Sequence, residues 1–302
     1  MCGIFGVSYF DSERVVNPAV LQAMGESLAH RGPDDSGIRV DGSIGFGCRR
    51  LKVIDLTGSQ QPITNETGDI WLVCNGEIYN YRNLRESLKE RHQFTTDGDV
   101  ETISHLYEDV GARCVHYLRG MFAFALWDAS ARQIVLTVDR FGKKPFYYWL
   151  DGEKVVFGSE LKAILTFPGL KREIDYEALD EYFSCGYISA PRTIYRGIRR
   201  LPAGHILTIQ GDGTAHLDAY WQPCFAEPGA WDTRPTPELA AELRHLLTEA
   251  VRLRMISDMP VGAFLSGGID SSAVVALMTT LLDTPVRTFS VGFADAQYDE
   301  RP

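Results

Sequence analysis

Several stretches of this sequence are apolar at nearly every position, the clearest being Met121-Phe-Ala-Phe-Ala-Leu-Trp127. A strand exposed on one face alternates apolar and polar residues, whereas a strand covered on both faces is apolar throughout. Other β-rich runs are Gly3–Tyr9, Ile70–Cys74 and Ile134–Val138, and helical patterns lie near Ala19–Ala29, Tyr81–Arg91 and Val100–Val110. The first 220 residues or so therefore predict a layered α/β unit in which helices flank the sheets.

A composition change divides the chain. Its 302 residues, 45% of them hydrophobic, are enough for two domains with cores. Between Tyr220 and Pro237 the prolines and glycine are typical of a connector. We predict a first domain over 1–219, a linker over 220–236 and a second domain over 237–302, opening with an amphipathic helix from Pro237 to about Ile256 whose apolar stripe faces the core.

The second domain has the pattern strand, loop, helix, strand. We predict a buried strand at Val261–Leu265, a turn at Ser266–Ser272, a helix at Ala273–Leu282 and a strand at Val286–Phe293. A right-handed crossover would make the two strands parallel. Because two strands do not make a stable domain, we expect this domain to be incomplete at residue 302.

Charge and cysteine spacing limit the function. The chain has 40 acidic and 30 basic residues, a formal charge of −10, which argues against nucleic acid as a partner. Its six cysteines show no metal-finger or C-x-x-C spacing, as expected in a reducing cytoplasm. No apolar run approaches the 18 or so residues that span a bilayer, and the N-terminus lacks a basic segment followed by an apolar stretch, so we predict a cytoplasmic protein without membrane contact.

Cysteine at position 2 is a candidate nucleophile. Removal of Met1 would give Cys2 a free α-amino group, whose ordinary pKa of about 7.7–8 suits a general base near neutral pH. The alternative is a small buried hydrophobic residue, a common role for cysteine.

The segment Ser266-Gly-Gly-Ile-Asp-Ser-Ser272 is a candidate phosphate-binding loop. Small residues leave backbone N–H groups accessible where a helix begins, and such groups bind anions. It lacks the lysine of a Walker A loop. The alternative is a tight turn in which Asp270 only caps the helix.

Six motifs in order resemble glutamine-hydrolysing asparagine synthetase: Met1-Cys-Gly-Ile-Phe-Gly6, His30-Arg-Gly-Pro-Asp34, Asn75-Gly-Glu-Ile-Tyr-Asn80, Gly120-Met-Phe-Ala-Phe-Ala125, Asp139-Arg-Phe-Gly-Lys-Lys-Pro145 and Ser266–Ser272. The resemblance covers nearly the whole chain. It implies a four-layer α-β-β-α N-terminal-nucleophile glutaminase domain, followed by the start of a parallel-sheet ATP-pyrophosphatase domain.

The resemblance also implies the residues of the glutaminase. Cys2 would attack the glutamine side-chain amide, and Asn75 with Gly76 would form the oxyanion hole. Arg50 would hold the substrate α-carboxylate and Asp99 its α-ammonium group. The glutamine pocket as a whole would comprise Arg50, Leu51, Lys52, Val53, Ile54, Asn75, Gly76, Glu77 and Asp99. Cys48 and Cys74 are interpreted as buried packing residues.

For the second domain the resemblance implies ATP as co-substrate, with Mg²⁺ on its phosphates. The residues concerned are Leu265, Ser266, Gly267, Gly268, Asp270, Ser271, Ser272 and Val291. ATP would adenylate aspartate, which ammonia would convert to asparagine. The metal ligands stay undetermined. A homodimer is compatible with the family, although the residues show no interface.

The acceptor stays open at this stage. The stretch Glu181–Pro191 is similar to bacterial amidotransferases of polysaccharide gene clusters, which suggests a sugar acid or another carboxylate as an alternative to aspartate. Because the predicted second domain is incomplete, a glutaminase without ligase activity and a glutamine-binding module without turnover are the other hypotheses.

Overall fold

The computed structural model describes residues 1–227, 229–295 and 297, and the chain separates into two compact units, Met1–Pro223 and Cys224–Pro302. Twelve strands belong to the first unit: β1 (Gly3–Tyr9), β2 (Asp35–Asp41), β3 (Ile44–Arg50), β4 (Ile63–Thr64), β5 (Ile70–Ile78), β6 (Gly120–Asp128), β7 (Gln133–Val138), β8 (Tyr147–Leu150), β9 (Lys154–Gly158), β10 (Ile198–Arg200), β11 (His205–Gln210) and β12 (Ala215–Ala219). Its helices are α1 (Pro18–Ser27), α2 (Tyr81–Leu88), α3 (Glu101–Val110), α4 (Leu161–Leu165) and α5 (Tyr176–Cys185).

These strands form two six-stranded sheets. The first has the order β10-β8-β9-β1-β3-β2 and the second β12-β11-β7-β6-β5-β4. Every strand pair in both sheets is antiparallel. The strand with the two-sided apolar run, β6, lies between β5 and β7 inside the second sheet, as its composition predicts.

The main core lies between the sheets. Ile4 and Phe46 of the first sheet pack there with Val73, Ala123 and Leu136 of the second. Alternate residues of β1 point the other way, because successive side chains of a strand face opposite sides of the sheet. The unit is therefore buried on both faces of its central strands.

Helices cover the outer faces. Phe5 and Val7 of β1 pack with Leu21 of α1 and Ile164 of α4 in a second apolar cluster. On the other side α3 packs against β4 and β5. The layers thus follow the order helix, sheet, sheet, helix that the resemblance implies.

One strand is longer than predicted, and this matters for function. β5 continues from Ile70 to Ile78 rather than ending at Cys74. Asn75, Gly76 and Glu77 are therefore held in register with β6, Asn75 opposite Ala123, rather than in a turn. Asn and Glu are uncommon in strands, which is why the apolar run predicted a strand that ends at Cys74.

The second unit contains α6 (Thr236–Arg254), β13 (Gly262–Phe264), α7 (Ile269–Leu281) and β14 (Arg287–Phe289). β13 and β14 are parallel, as predicted, with Phe264 opposite Phe289. The predicted start of α7 at Ala273 is wrong, since the helix begins at Ile269. An acidic residue in the first turn favours a helix N-terminus, and Asp270 occupies that turn.

The apolar stripe of α6 is not buried as predicted. Leu243 and Leu246 are 58% and 57% exposed, and burial in this helix is confined to Val251 and Leu253. Helical periodicity identifies an apolar face but not what covers it. No helix in the described part of the chain is long and apolar enough to cross a membrane.

The inter-sheet core should dominate the stability of the first unit. Phe46 is fully buried and its ring meets that of Phe157 edge-on at 5.1 Å. Phe46→Ala should lower the free energy of unfolding by about 3–5 kcal/mol, since truncation leaves a cavity. Chemical denaturation measures this. Phe183→Ala, at a side chain 78% exposed, is the matched control and should change it by about 0.5 kcal/mol or less. Equal effects of the two substitutions would contradict this account of the core.

Candidate active site

Cys2 immediately precedes β1 and packs against the inter-sheet core. Its Sγ lies 3.4 Å from the backbone N and 3.7 Å from the carbonyl O of Leu51, so the chain leaving β3 lies over the thiol. The Arg31 Nε donates to the Cys2 carbonyl at 2.9 Å. The side chain is half-buried, which leaves it accessible to a small molecule.

The surroundings favour the thiolate of Cys2. A hydrogen bond from Cys48 is the largest influence, and with the Leu51 N–H, the chain's α-amino group and Arg50 it lowers the pKa of the Cys2 thiol despite burial. The same hydrogen bond and complete burial raise the pKa of Cys48 well above its ordinary value. At neutral pH the nucleophilic form therefore concentrates on Cys2, the less buried of the two.

The motif His30–Asp34 holds this end of the site together. Arg31 bridges the Cys2 carbonyl and Glu160, whose Oε1 accepts from Arg31 Nη1 at 2.9 Å. Gly32 lies so close to β3 that an added Cβ would stand 2.3 Å from the carbonyl carbon of Arg49. Asp34 Oδ2 accepts from Lys52 N at 2.9 Å, which anchors the residues after β3.

Arg50 is buried at the end of β3 and shapes the loop that follows it. Its guanidinium donates to the carbonyl oxygens of Ile54, Asp55 and Gly58 at 2.8, 2.8 and 2.5 Å. Three of the five guanidinium N–H groups are used in this way.

The predicted pocket residues Leu51, Lys52, Val53 and Ile54 form one segment between Cys2 and the carbonyls that Arg50 binds. Leu51, Lys52 and Val53 are partly buried and Ile54 is buried. The structure thus brings this segment, Arg50 and Cys2 together where β1 begins and β3 ends.

Asn75 is the clearest anomaly in the site. Its side chain is 1% exposed, and neither Nδ2 nor Oδ1 has a hydrogen-bond partner. An unpaired buried polar group costs about 1–3 kcal/mol. Its neighbour Gly76 packs so tightly on β6 that an added Cβ would lie 2.2 Å from the Met121 carbonyl oxygen. The pair offers an uncommitted amide and a position restricted to glycine.

A partly buried carboxyl, Glu77, and a buried one, Asp99, complete the second-sheet side. Asp99 is 4% exposed and its Oδ2 accepts from Ile78 N at 2.6 Å. Burial raises the pKa of Asp99, and burial followed by the Asp99 charge raises the pKa of Glu77. A cationic ligand group between them would relieve this repulsion.

The sequence analysis missed Lys144. It is 5% exposed, and burial lowers its pKa while the charges of Glu77 and Cys2 oppose that shift. Its loop is held by Asp139, which accepts backbone N–H groups from Phe122, Phe141 and Lys143 at 3.0–3.1 Å. Lys144 lies in the motif Asp139–Pro145, to which the sequence analysis assigned no role.

Cys48 and Cys74 are both 1% exposed, and their predicted role as buried packing residues is confirmed. The sequence analysis gave Cys48 no further role, yet its thiol is the largest influence that lowers the pKa of the Cys2 thiol. A cysteine at an apolar strand position carries no sequence signal for this contact.

The predicted ATP residues lie in the second unit, around the N-terminus of α7. Leu265 N donates to the Phe289 carbonyl at 2.9 Å, so the loop leaves the sheet beside β14. Ser266 Oγ and Ser271 Oγ are 3.3 Å apart, and Ser271 Oγ donates to the Gly268 carbonyl at 3.1 Å. Asp270, Ser271 and Ser272 therefore belong to the first helical turn, and the loop proper is shorter than predicted.

A cavity of about 400 Å³ adjoins this turn. Asp270 and Ser271 line it together with Phe264 and apolar side chains of α6 and α7. The predicted residues Leu265, Ser266, Gly267, Gly268 and Ser272 do not line it. Val291 follows β14 and is 64% exposed. The structure thus places only part of the predicted set on one cavity.

Comparison with known proteins covers both units. The family model described as "Glutamine amidotransferase domain" matches residues 1–221, and the model described as "Asparagine synthase" matches residues 242–302. "Asparagine synthetase [glutamine-hydrolyzing] 3" of Bacillus subtilis is 36% identical over 98% of this chain and 48% of its own length. A putative asparagine synthetase [glutamine-hydrolyzing] 2 of Methanocaldococcus jannaschii is 38% identical over 100% of this chain and 61% of its own length. The chain spans about half the length of the curated relatives it matches.

Among solved structures, the glutamine phosphoribosylpyrophosphate amidotransferase of Bacillus subtilis, complexed with ADP and GMP, is similar in fold. The TM-score is 0.53 at 18% identity, over 96% of this chain and 65% of that one. At this identity the likeness concerns the fold alone, and it confirms the predicted fold class of the first unit.

The hydrogen bond from Cys48 predicts how the reactivity of Cys2 depends on pH. Cys48→Ala should raise the pH midpoint of Cys2 alkylation by about one to two units, because a hydrogen bond to a charged group contributes about 1.5–3 kcal/mol. The midpoint is read from iodoacetamide labelling of the Cys2 peptide by mass spectrometry. Cys48→Ser keeps a donor and should leave the midpoint near that of the wild type. An unchanged midpoint in Cys48→Ala would show that Cys48 does not stabilise the thiolate.

Proposed function

Because the chain belongs to the glutamine amidotransferase domain family, we propose that its first unit hydrolyses glutamine at Cys2 and releases ammonia for transfer. The observation that carries the proposal is the pairing of a half-buried thiol whose pKa is lowered with a buried amide, that of Asn75, whose polar atoms are unpaired. One supplies a nucleophile and the other a donor for developing negative charge. The two family matches confirm the resemblance that the motifs indicated.

The nucleophile acts as follows. Once Met1 is removed, the Cys2 thiolate adds to the side-chain amide carbon of glutamine, and the α-amino group of Cys2 passes a proton to the leaving nitrogen. Ammonia departs and a glutamyl thioester remains. Water then adds to the thioester carbon, which releases glutamate and restores the thiol. The Leu51 N–H and Arg31 hold Cys2 in place for both steps.

Asn75 Nδ2 and the Gly76 N–H would donate hydrogen bonds to the negatively charged oxygen of the tetrahedral intermediate. The amide of Asn75 has no internal partner to give up, so its hydrogen bond to an oxyanion is gained without breaking another. Donors that are oriented in advance and shielded from water contribute most to such stabilisation. Gly76 keeps β5 close to β6, which fixes the position of its neighbour Asn75.

The charges around the thiol suit the two ends of a free amino acid. The Arg50 guanidinium, at the end of β3, would bind the substrate α-carboxylate. Asp99 and Glu77 would bind its α-ammonium group, which compensates their buried charge. Leu51, Lys52, Val53 and Ile54 would form one wall of the pocket. Free glutamine fits this arrangement better than a glutamine residue within a peptide, which has neither an α-carboxylate nor an α-ammonium group.

For the protein as a whole we propose ATP-dependent transfer of the ammonia to a carboxylate, with aspartate as acceptor and asparagine, glutamate, AMP and pyrophosphate as products. Two observations support it: the match of residues 242–302 to an asparagine synthase family and the names of the relatives. The loop Leu265–Gly268, the first turn of α7 and Val291 would contact ATP. The backbone N–H groups of the loop and of the first turn of α7 would face the phosphate oxygens of ATP.

Magnesium fits the donors at this loop. Asp270 supplies a carboxylate oxygen and Ser271 and Ser272 supply hydroxyls in the first turn of α7, all hard oxygen ligands of the kind that Mg²⁺ prefers. When bound with ATP, the ion would neutralise phosphate charge. The chain's own residues orient the phosphates at the helix N-terminus.

The test of the glutaminase is glutamate release from glutamine. With Met1 removal verified by mass, the wild-type chain should release glutamate and Cys2→Ala should not, because the variant has no nucleophile. Cys185→Ala, at an exposed cysteine on α5, is the matched control and should retain the wild-type rate. Equal, negligible rates from folded Met1-free proteins would contradict the proposal and favour a glutamine-binding module.

The acceptor is tested in the protein extended to the length of its relatives. Asparagine formation from aspartate, ATP and glutamine is expected, and Cys2→Ala should retain the reaction with ammonia in place of glutamine. AMP release that does not depend on aspartate would instead indicate another carboxylate. No ATP consumption with either nitrogen source would contradict the ligase.

Substitution of Asn75 should lower the activity without lowering the stability. Asn75→Leu should lower kcat for glutamine hydrolysis by about 10²–10³, the loss on removing one oxyanion donor. The free energy of unfolding should not fall, because the two buried polar atoms that it removes are unpaired. Steady-state kinetics and chemical denaturation measure the two effects.

The matched control is Asn65→Leu. Asn65 is also buried, but its side chain donates to Thr67 and Glu108 and accepts from Ile70 N. This substitution should lower the free energy of unfolding, because partners stay behind unpaired. If Asn75→Leu destabilised the protein as strongly as Asn65→Leu, the amide of Asn75 would be structural and its assignment as oxyanion donor would fail.

A further inference from the structure

Four ligating side chains converge outside the glutaminase pocket: Glu66, His92, His105 and Glu108. One donor atom from each lies within 4.8 Å of the others. Glu66 comes from the loop between β4 and β5, His92 from the connection between α2 and α3, and the other two from α3. His105 is fully buried, whereas the carboxylates are 22–25% exposed and give access from solvent.

The separations fit a tetrahedral ion site. His92 Nδ1 lies 3.4 Å from Glu108 Oε2 and 3.7 Å from Glu66 Oε1, and His105 Nδ1 lies 3.0 Å from Glu108 Oε2 and 3.5 Å from Glu66 Oε2. Zn²⁺ bonds to histidine nitrogen and carboxylate oxygen are about 2.0–2.1 Å, so ligand atoms at the corners of a tetrahedron stand about 3.3–3.4 Å apart. The observed distances lie on both sides of that value, and Glu66 faces His92 through Oε1 and His105 through Oε2.

The outer nitrogen of each imidazole faces a further carboxylate. His92 Nε2 is 3.1 Å from Asp109 Oδ1, and the buried His105 Nε2 is 3.7 Å from Glu101 Oε1. Glu101 is itself held by the backbone and hydroxyl groups of Thr95 and Thr96. Metal-binding histidines commonly carry such a carboxylate on the second nitrogen, which fixes the tautomer with Nδ1 free to bind the ion.

In the metal-free arrangement, a neutral His105 leaves one ring nitrogen unsatisfied. If the proton of neutral His105 is on Nδ1, where Glu108 can accept it, the lone pair on Nε2 faces the Glu101 carboxylate. His105 Nε2 has no hydrogen-bond partner. An ion on Nδ1 would place the proton on Nε2, pointing at Glu101, whereas without an ion the ring needs a proton on both nitrogens to satisfy both carboxylates.

The two carboxylate ligands are also oriented. Glu108 Oε1 accepts from Asn65 Nδ2 at 2.8 Å, which turns Oε2 toward both histidines. Glu66 Oε1 accepts from Gln93 N at 2.6 Å. Both acids are therefore fixed by neighbours that are not ligands.

We propose that Glu66, His92, His105 and Glu108 form a structural site for a divalent transition metal ion, with Zn²⁺ as the best fit. Two imidazoles and two carboxylates suit zinc and neighbouring metals, whereas Mg²⁺ and Ca²⁺ prefer oxygen ligands alone. Four protein ligands leave no open position, which is typical of structural rather than catalytic zinc. The ion would connect the β4–β5 loop, the α2–α3 connection and α3.

The consequence for the glutaminase is indirect. Asp99 lies between the ligands His92 and His105 along the chain, in the segment that the ion would hold at both ends. The site would thus stabilise the part of the protein that carries one pocket carboxylate. It involves none of the residues proposed to contact glutamine, so its test is independent of the glutaminase.

The experiment is metal binding to the full 302-residue chain, with Zn²⁺ followed by calorimetry and Co²⁺ by its visible spectrum. We expect one equivalent of ion, tetrahedral cobalt bands without a thiolate charge-transfer band, and a higher thermal midpoint with Zn²⁺. His92→Asn and Glu66→Gln should weaken binding by about 100-fold or more, and Asp109→Asn, which removes only the outer carboxylate, by about 10–100-fold. His245→Asn, at an exposed histidine of α6, is the matched control and should bind as the wild type does.

Circular dichroism of each variant without metal separates lost binding from lost folding, and Glu66→Gln is the milder change because its side chain is 25% exposed. Unaltered affinity in both folded ligand variants would overturn the proposal. So would a cobalt spectrum dominated by thiolate charge transfer, which would place the ion on a cysteine. Absence of saturable binding by the wild-type chain would show that the cluster is only an ion-pair network.

Discussion

The antiparallel pairing of β1 with β3 is the constraint on which the site depends. Its register sets Gly3 opposite Arg49 and Ile4 opposite Cys48, which brings the residue before β1 beside the chain leaving β3. A slip of one residue would turn every side chain of β1 to the other face of the sheet. The apolar residues of both faces prevent this, because Ile4 belongs to the inter-sheet core and Phe5 to the helix-covered core.

Around that pairing the protein gathers groups that are unfavourable in isolation. Asn75 is buried without partners, and burial raises the pKa of Asp99 and Glu77 and lowers that of Lys144. Groups in such conditions concentrate at functional sites, where a ligand's own charges and hydrogen-bond acceptors compensate them. The two sheets supply the rigid frame that keeps these groups from relaxing away.

Much of the fold follows from local patterns. The strand Gly3–Tyr9 has the predicted bounds, and β13 and β14 are parallel as the crossover rule requires. The predicted boundaries of helices and strands were wrong where an element continues through polar or small residues. β5 extends through Asn75 and Glu77 because β6 pairs with it to the end, and α7 begins at Ile269 although the small residues there suggested a turn. The stripe on α6 predicted a helix correctly but not its burial.

The sequence by itself determined the family, through six ordered motifs, and the residue types that the chemistry needs at Cys2, Arg50 and Asn75. Only the tertiary structure decided that Cys48 donates to the Cys2 thiol, that Lys144 is buried near Glu77, and that Glu66 joins two histidines and Glu108. The reason is separation along the chain. These contacts join residues 26 to 67 positions apart, or groups on three different segments, and no local pattern encodes which distant side chains share one buried volume.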